Sequence, residues 1–312
     1  MSSLRWCLIL NGKCAGDMPL REAVAAMRGE GIAVEVRVTW ERGDAERYVA
    51  EAIEHGVDTV IAAGGDGTFS EVAGALAGRD ADADTLPTIG LIPLGTANDF
   101  ADAAGLPIEP LAALQLIRAE KAQSIDVLRI IADGNTRWCV NMLSGGFSAK
   151  VSADTNSRLK QRLGGIAYLL TGIAELGNIE TQPARVAASG LDWQGEFIAL
   201  ACGNGRQAGG GHVLCPDAYI DDGLLDVTIV PPPDGDVLAT LGTLLNEGTV
   251  AALEQAAVRR QSRSVEIHAP DAFDLTLDGE PAMASSLRID CLPRRLRLHL
   301  PPGCPLLSSP AR

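Results

Sequence analysis

Gly64-Gly65-Asp66-Gly67-Thr68 is the stretch of this chain whose residue types point most directly to chemistry. It falls between a short apolar run, Thr59–Ala63, and a helical pattern from about Thr68 to Ala77. Three glycines let a backbone turn sharply and aim its N–H groups at an anion, and a helix opening there adds its positive dipole end. The loop is not a Walker A loop, because no G-x-x-x-x-G-K-[ST] run occurs. It carries a carboxylate instead, Asp66, and a carboxylate beside phosphate oxygens calls for a cation between them. A bridging Mg²⁺ meets that need. The structural alternative is a glycine-rich strand–helix turn with Asp66 as the helix N-cap. A second loop, Pro93-Leu94-Gly95-Thr96-Ala97-Asn98-Asp99-Phe100, also follows an apolar strand and opens a helix. Thr96 offers a hydroxyl and an N–H to phosphate there, or Thr and Asn serve only as caps. Two such loops in one domain favour a nucleotide crevice, since ligands of parallel sheets sit at the carboxyl ends of the strands.

Further candidates lie in the second half of the chain. Leu277-Asp278-Gly279-Glu280 follows a strand pattern, and Asp-Gly is a favoured hairpin turn. Asp217, Asp221, Asp222 and Asp226 surround Gly223 without EF-hand spacing, so a turn with solvated carboxylates is the default reading. Gly203–Ala208 matches G-x-G-x-x-[GA], but Gly209, Gly210 and Gly211 follow and disfavour a helix. That stretch reads as a glycine-rich loop, with Arg206 either near a ligand phosphate or simply at the surface. Gly164–Gly177 is the most apolar helical pattern, shorter than the ~20 residues a bilayer requires. Lys150, Arg158, Lys160 and Arg162 precede it, either as a patch for an anionic membrane or as the solvated flank of a packed helix.

The elements that must position these residues fall into two groups. Up to about residue 124, strand and helix patterns alternate: Trp6–Leu10, helix Pro19–Arg28, Ile32–Thr39, helix Ala45–His55, Thr59–Ala63, helix Thr68–Ala77 and Thr88–Ile92. Such alternation predicts a parallel sheet covered by helices. Beyond it, strand-like runs succeed one another: Ile125–Ile131, Arg137–Met142, Ala184–Ala188, Glu196–Cys202, Leu225–Val230, Ser264–His268, Phe273–Leu277, Leu287–Cys291 and Arg295–Leu300. That pattern predicts a β-sandwich, and Pro231-Pro232-Pro233 marks a loop in it.

Composition narrows the partners. A formal charge of −14 speaks against nucleic acid and against broad adsorption to an anionic membrane. Seven widely spaced cysteines without a C-x-x-C read as reduced thiols in a cytoplasmic protein. The run Trp6–Leu10 is too brief for a signal peptide. No catalytic histidine motif or G-x-S-x-G occurs, which removes zinc-protease and serine-hydrolase readings.

Taken together, GGDGTFSEV (Gly64–Val72), PLGTANDFA (Pro93–Ala101) and LDGE (Leu277–Glu280) resemble the diacylglycerol kinase catalytic-domain superfamily, and within it the bacterial YegS-like lipid kinases. LILNGK (Leu8–Lys13), VRVTWERGDA (Val36–Ala45), GNGRQAGGG (Gly203–Gly211), IDDGLLDV (Ile220–Val227) and LPPGCPLL (Leu300–Leu307) extend the resemblance over nearly the whole chain. It implies an α/β plus β fold of the NAD kinase/diacylglycerol kinase type. Residues 1–124 would form a Rossmann-like nucleotide-binding domain and 125–295 a β-sandwich lipid-substrate domain, with 296–312 returning toward the first. It implies an ATP-dependent lipid kinase that phosphorylates a hydroxyl of a phosphatidylglycerol- or diacylglycerol-type acceptor. By the same resemblance ATP contacts Thr39, Gly65, Asp66, Gly67, Thr68, Phe69, Ser70, Glu71 and Thr96. Glu280 is the general base, with Asp66 its rival. A second Mg²⁺ site, with Ca²⁺ or another divalent cation as alternatives, is formed by the Asp222 side chain and the carbonyls of Tyr219 and Leu224. The enzyme is expected in the cytoplasm, peripheral to the inner face of the membrane when acting. Two other readings remain at this point: an NAD kinase-like enzyme, and a non-catalytic nucleotide-regulated lipid-binding protein.

Overall fold

In the computed structural model, which describes residues 4–146, 181–232 and 257–308, the chain divides into two compact units. The first comprises Met1–Val127, Ile220–Gly223 and Leu292–Arg312; the second comprises Leu128–Tyr219 and Leu224–Cys291. The apolar helical pattern Gly164–Gly177, its basic flank from Lys150 to Arg162, and Pro233 lie outside the described residues.

The first unit follows the alternation of its sequence: β1 (Arg5–Asn11), α1 (Met18–Gly29), β2 (Ala33–Thr39), α2 (Asp44–Glu54), β3 (Thr59–Gly64), α3 (Asp66–Ala77), β4 (Thr88–Pro93), α4 (Asp99–Ala103) and α5 (Pro110–Ala119). Helix α1 begins where Asp17 accepts the Leu20 N–H at 2.8 Å, and Leu20, Ala23, Val24 and Met27 bury one face. Strands β4, β3, β1 and β2 pair in that order, all parallel. Leu8, Leu10, Ile61, Ala63 and Ile92 of the sheet pack with α1 and with Ala113, Leu114 and Ile117 of α5. All four carboxyl ends, at Asn11, Thr39, Gly64 and Pro93, therefore open on one edge.

Two distant segments complete this unit. The C-terminal stretch pairs Leu298 in parallel with Ile89, adding a strand beside β4. Arg295 donates to the carbonyls of Ala77 and Ala81, and Arg297 to those of Ala83 and Leu86. These bonds satisfy acceptors left over at the end of α3 and in the turn after it. Asp126 anchors the second segment, Ile220–Gly223. Its own N–H donates to the Ile220 carbonyl at 2.6 Å, and its carboxylate accepts from Gly223 N at 2.6 Å and Arg294 N at 2.7 Å.

His299 is buried in the same unit between Glu120 and Thr88. Its Nδ1 donates to the Glu120 carbonyl at 2.8 Å, and its Nε2 lies 3.0 Å from the Thr88 hydroxyl. Burial pushes the imidazole below its ordinary value of 6.5, partly opposed by the Glu120 bond. A depressed folded-state value means that the unfolded chain binds the extra proton, so this contribution to stability is lost as pH falls from about 6.5. The melting temperature is expected to drop more steeply between pH 7 and 5.5 in the native chain than in His299→Gln. Equal slopes would show that His299 does not titrate against folding.

The second unit is built from β5 (Gln123–Ala132, entering from the first unit), β6 (Asn135–Cys139), β7 (Met142–Gly145), β8 (Gln182–Ala188), β9 (Leu191–Phe197), β10 (Ala199–Gly203), β11 (Gln207–Ala208), β12 (His212–Val213), β13 (Leu225–Val230), β14 (Val258–Ser262), β15 (Ser264–Leu277) and β16 (Glu280–Leu298, leaving toward the first unit). The pairs in this unit are antiparallel. β15 pairs β16 with a register shift between His268 and Phe273, and it also serves two further ladders: Val265–His268 pairs β8, while Leu275–Leu277 pairs β7. An irregularity of this kind lets one long strand pass between two layers. Phe197, Leu200, Val227, Ile267, Leu275 and Ile289 belong to the core that these strands share.

Several sequence expectations shift here. Glu196–Cys202, read as one strand, is the end of β9 and the start of β10. Arg137–Met142 also breaks, between β6 and β7, because the N–H groups of Val140, Asn141 and Met142 all turn to Asp278 instead of a neighbouring strand. Strand β14 was not expected. All seven cysteines are free thiols, and burial pushes Cys7 to about 11 and Cys202 to about 12, which leaves neither as a thiolate near neutrality.

Candidate active site

The two glycine loops leave the first unit's sheet side by side. Gly64 pairs with Pro93, and Leu94 N donates to the Gly64 carbonyl at 2.8 Å, so the ladder continues into the loops. There the backbones touch. A Cβ built on Gly95 would stand 2.5 Å from the Gly65 Cα and 2.7 Å from Asn98 Oδ1. Neither neighbour is the end of a long side chain, so only glycine fits. Asn98 closes the second loop from a left-handed conformation, φ 53°, accepting from Gly95 N and donating to Gly95 O at 2.9 Å each. Gly95→Ala is expected to push the loops apart, weaken ATP binding about tenfold or more, and lower stability by ~1–3 kcal/mol. Titration with ATP and a thermal melt would check this, and native affinity in the variant would refute the close approach.

Helix α3 starts at Asp66, two residues before the expected Thr68, with Gly65 at the N-cap and no side chain capping the first turn. Asp66 is thus not the cap of its own helix. Its carboxylate reaches across to α4, accepting from Asp99 N at 3.1 Å and Phe100 N at 3.2 Å. Burial raises its carboxyl above the usual carboxylate range, while these two N–H bonds pull it back. Asp66 therefore joins the loops electrostatically as Gly65 and Gly95 join them sterically.

Around this edge the other expected ATP contacts take distinct positions. Thr68 is buried, and its hydroxyl accepts from Asn11 Nδ2 at 3.0 Å. Gly67 and Ser70 are half-buried, whereas Glu71 and Thr96 are exposed. Thr39 ends β2 opposite Asn11, its hydroxyl 3.4 Å from the Leu10 carbonyl. Phe69 is engaged within the protein. Its ring is buried against Phe100, centroids 4.7 Å apart, and its N–H donates to the Gly65 carbonyl. It packs the two loops from below and presents neither group to a ligand.

The uncapped first turn of α3 and the glycine cradle fit a polyphosphate: they offer backbone donors, a positive dipole end, and room where a Cβ would intrude. For the cation, Asp222 is half-buried on the segment Ile220–Gly223 of the first unit, and the flanking Tyr219 and Leu224 belong to the second. Among the described residues no group of three His, Cys, Asp or Glu side chains is placed to hold a metal ion. The expected set, one carboxylate and two carbonyls, is of another kind, and its all-oxygen chemistry suits a hard ion such as Mg²⁺. Asp126, missed by sequence reasoning, fixes this segment. Burial raises its carboxyl, and Asp222 and Asp221 add to the effect.

In the second unit Glu280 is exposed and follows a tight two-residue turn. Leu277 pairs with Glu280 across it, and Asp278 (φ 46°) and Gly279 (φ 90°) both take the left-handed conformation of a type I′ hairpin. The Asp278 carboxylate is buried. It accepts from Val140 N at 2.8 Å, Asn141 N at 3.0 Å, Met142 N at 2.9 Å and the Cys139 thiol at 3.0 Å. A hairpin turn and a positioned carboxylate are thus compatible roles for Leu277–Glu280. Arg206 donates its Nε to the Ala218 carbonyl and lies 4.8 Å over the Tyr219 ring, so it packs within its own unit.

Comparison with known proteins agrees with this layout. The model of the diacylglycerol kinase catalytic domain matches residues 5–130, and that of the YegS C-terminal NAD kinase beta sandwich-like domain matches residues 141–300. A Stenotrophomonas maltophilia protein named "Probable lipid kinase YegS-like" is 58% identical over 98% of this chain and 99% of its own length. A Pseudomonas aeruginosa protein of the same name is 49% identical over 98% and 97%. Among solved structures, a Bacillus anthracis protein provisionally named a diacylglycerol kinase superposes with a TM-score of 0.78 at 27% identity, covering 96% of this chain and 98% of that one. With both domains matched in this order and relatives this similar along their full length, the chain belongs to the YegS-like lipid kinase family.

Proposed function

We propose that this lipid kinase transfers the γ-phosphoryl group of ATP, as its Mg²⁺ complex, to the primary hydroxyl of a membrane glycerolipid of the phosphatidylglycerol or diacylglycerol type. The observation that carries the nucleotide half is the pair of loops held in contact at Gly65 and Gly95 over the uncapped start of α3. Backbone N–H groups there, with Thr68 and the exposed Thr96, would hold the phosphates, and Thr39 would meet the nucleoside end. Asp66 orders the second loop through the amides of Asp99 and Phe100. Asp222, with the carbonyls of Tyr219 and Leu224, would hold the divalent ion, which neutralises phosphate charge when bound. Glu280 would take the proton of the attacking hydroxyl.

No helix among the described residues is long and apolar enough to cross a membrane. On this reading the lipid would be met at the bilayer surface, from the cytoplasmic side. The test is transfer of labelled γ-phosphate from ATP–Mg²⁺ to vesicles of phosphatidylglycerol, of diacylglycerol in a neutral carrier, and to soluble NAD. Label in one lipid identifies the acceptor class. Label in NAD alone would replace the proposal with an NAD kinase, and ATP binding without any transfer would indicate a non-catalytic protein.

A further inference from the structure

Trp40 has the highest fractional exposure of the large apolar side chains among the described residues, at 92%. Its backbone, by contrast, is firmly held. Its N–H donates to Asp44 Oδ2 at 2.7 Å, and the next N–H, of Glu41, to the same oxygen at 3.1 Å. Asp44 is itself buried as the first residue of α2, whose N-cap Gly43 supplies no side chain. An indole so placed is a solvated aromatic surface carried on a held backbone, and flat aromatic faces are what planar ligands stack on.

Its location supplies the ligand. Trp40 directly follows Thr39 at the carboxyl end of β2. Strand β1 lies between β2 and β3, with Asn11 opposite Thr39 and Leu10 opposite Ala63. The Gly65–Thr68 loop at the end of β3 is thus about two strand spacings away along the same sheet edge, roughly 10 Å. That separation is of the order of the reach from the outer phosphates of a nucleoside triphosphate to its base. We infer that Trp40 is the nucleobase platform of this site, with the purine stacked on its indole and the phosphates on the Gly65–Thr68 loop.

The inference rests on the proposed nucleotide site and adds a base-binding residue to it. It also carries a specificity statement. Stacking engages the π-face, which every base presents, and does not read the hydrogen-bonding edge. Trp40 therefore strengthens binding of ATP and GTP alike. A membrane anchor is the other common use of an exposed indole; Glu41, Asp44 and Glu46 stand beside this one together with Arg42 and Arg47, so no cationic patch marks it for an anionic surface.

The experiment compares the native chain with Trp40→Ala and Trp40→Phe, measuring equilibrium binding of ATP, GTP and inorganic tripolyphosphate, with thermal melts as the folding control. Trp40→Ala is expected to weaken ATP and GTP about tenfold each, within the range of roughly 5- to 150-fold for one stacked base. Tripolyphosphate, which has no base, should bind unchanged, and Trp40→Phe should recover most of the loss. ATP should quench native tryptophan fluorescence, and the quench should vanish in Trp40→Ala. Unchanged ATP affinity in Trp40→Ala would overturn the platform while leaving the nucleotide site standing. So would loss of binding to phosphatidylglycerol vesicles with ATP affinity intact, which would make Trp40 an anchor. Failure of the native chain to bind ATP or tripolyphosphate at all would overturn the nucleotide site itself and the platform with it.

Discussion

Glu280→Gln is expected to lower phosphoryl transfer to lipid by roughly 10²- to 10⁴-fold while leaving ATP affinity within about twofold. The amide copies the shape of the carboxylate but cannot accept the hydroxyl proton. Because Glu280 is exposed beyond a turn defined by Asp278 and Gly279, the substitution should not disturb the hairpin. The nucleotide loops belong to the other unit, which makes ATP binding an independent readout. The rival base, Asp66, makes a different prediction. Its carboxylate is engaged with the amides of Asp99 and Phe100, so Asp66→Asn would put an amide N–H against one of those donors and disturb α4. That loss should appear in ATP affinity as well as in turnover. A Glu280→Gln enzyme with near-native turnover, beside an Asp66→Asn enzyme that binds ATP but transfers nothing, would reverse the assignment.

Much of the first unit was legible because its signals are local. Helical spacing of Leu20, Ala23, Val24 and Met27 marks α1, and apolar runs ending in glycine or proline mark the strands that carry the loops. The contact between those loops was not legible. That Gly95 must be glycine follows from Gly65 lying against it, across thirty residues of chain. The partners of Asp66 were not legible for the same reason: a carboxylate at a helix start reads as an organiser of phosphate-bound Mg²⁺ or as a cap for that helix, and only the fold shows that it accepts from the amides of α4. Asp126 sits in an ordinary strand pattern, and its grip on Gly223 and Arg294 has no sequence signature. In the second unit the sequence periodicity was sound but the breaks were not. The stretch from Val140 to Met142 looks like continuous strand until its amides are seen to have a carboxylate as partner.

That carboxylate underlies the second large effect. Asp278→Ala is expected to destabilise the chain by about 3–5 kcal/mol, because three backbone N–H groups lose a buried acceptor and each unpaired donor costs roughly 1–3 kcal/mol before relaxation. For a unit of this size the loss corresponds to a fall in melting temperature of roughly 6–20 °C. Asp278→Asn separates acceptor from charge. One oxygen still accepts, but an amide N–H then faces a backbone donor, so its cost should lie between native and Ala. The same residue sets the turn that presents Glu280, two positions on, from a left-handed conformation that Asp and Asn tolerate better than Ala. Because the amide N–H of Asp278→Asn meets a backbone donor and shifts this turn, transfer to lipid should decline well below its melting point, with ATP affinity native. If Asp278→Asn were instead fully active and melted like the native chain, the amides of Val140, Asn141 and Met142 would need no charge opposite them. Asp278 would then be a turn residue whose carboxylate is incidental to where Glu280 stands.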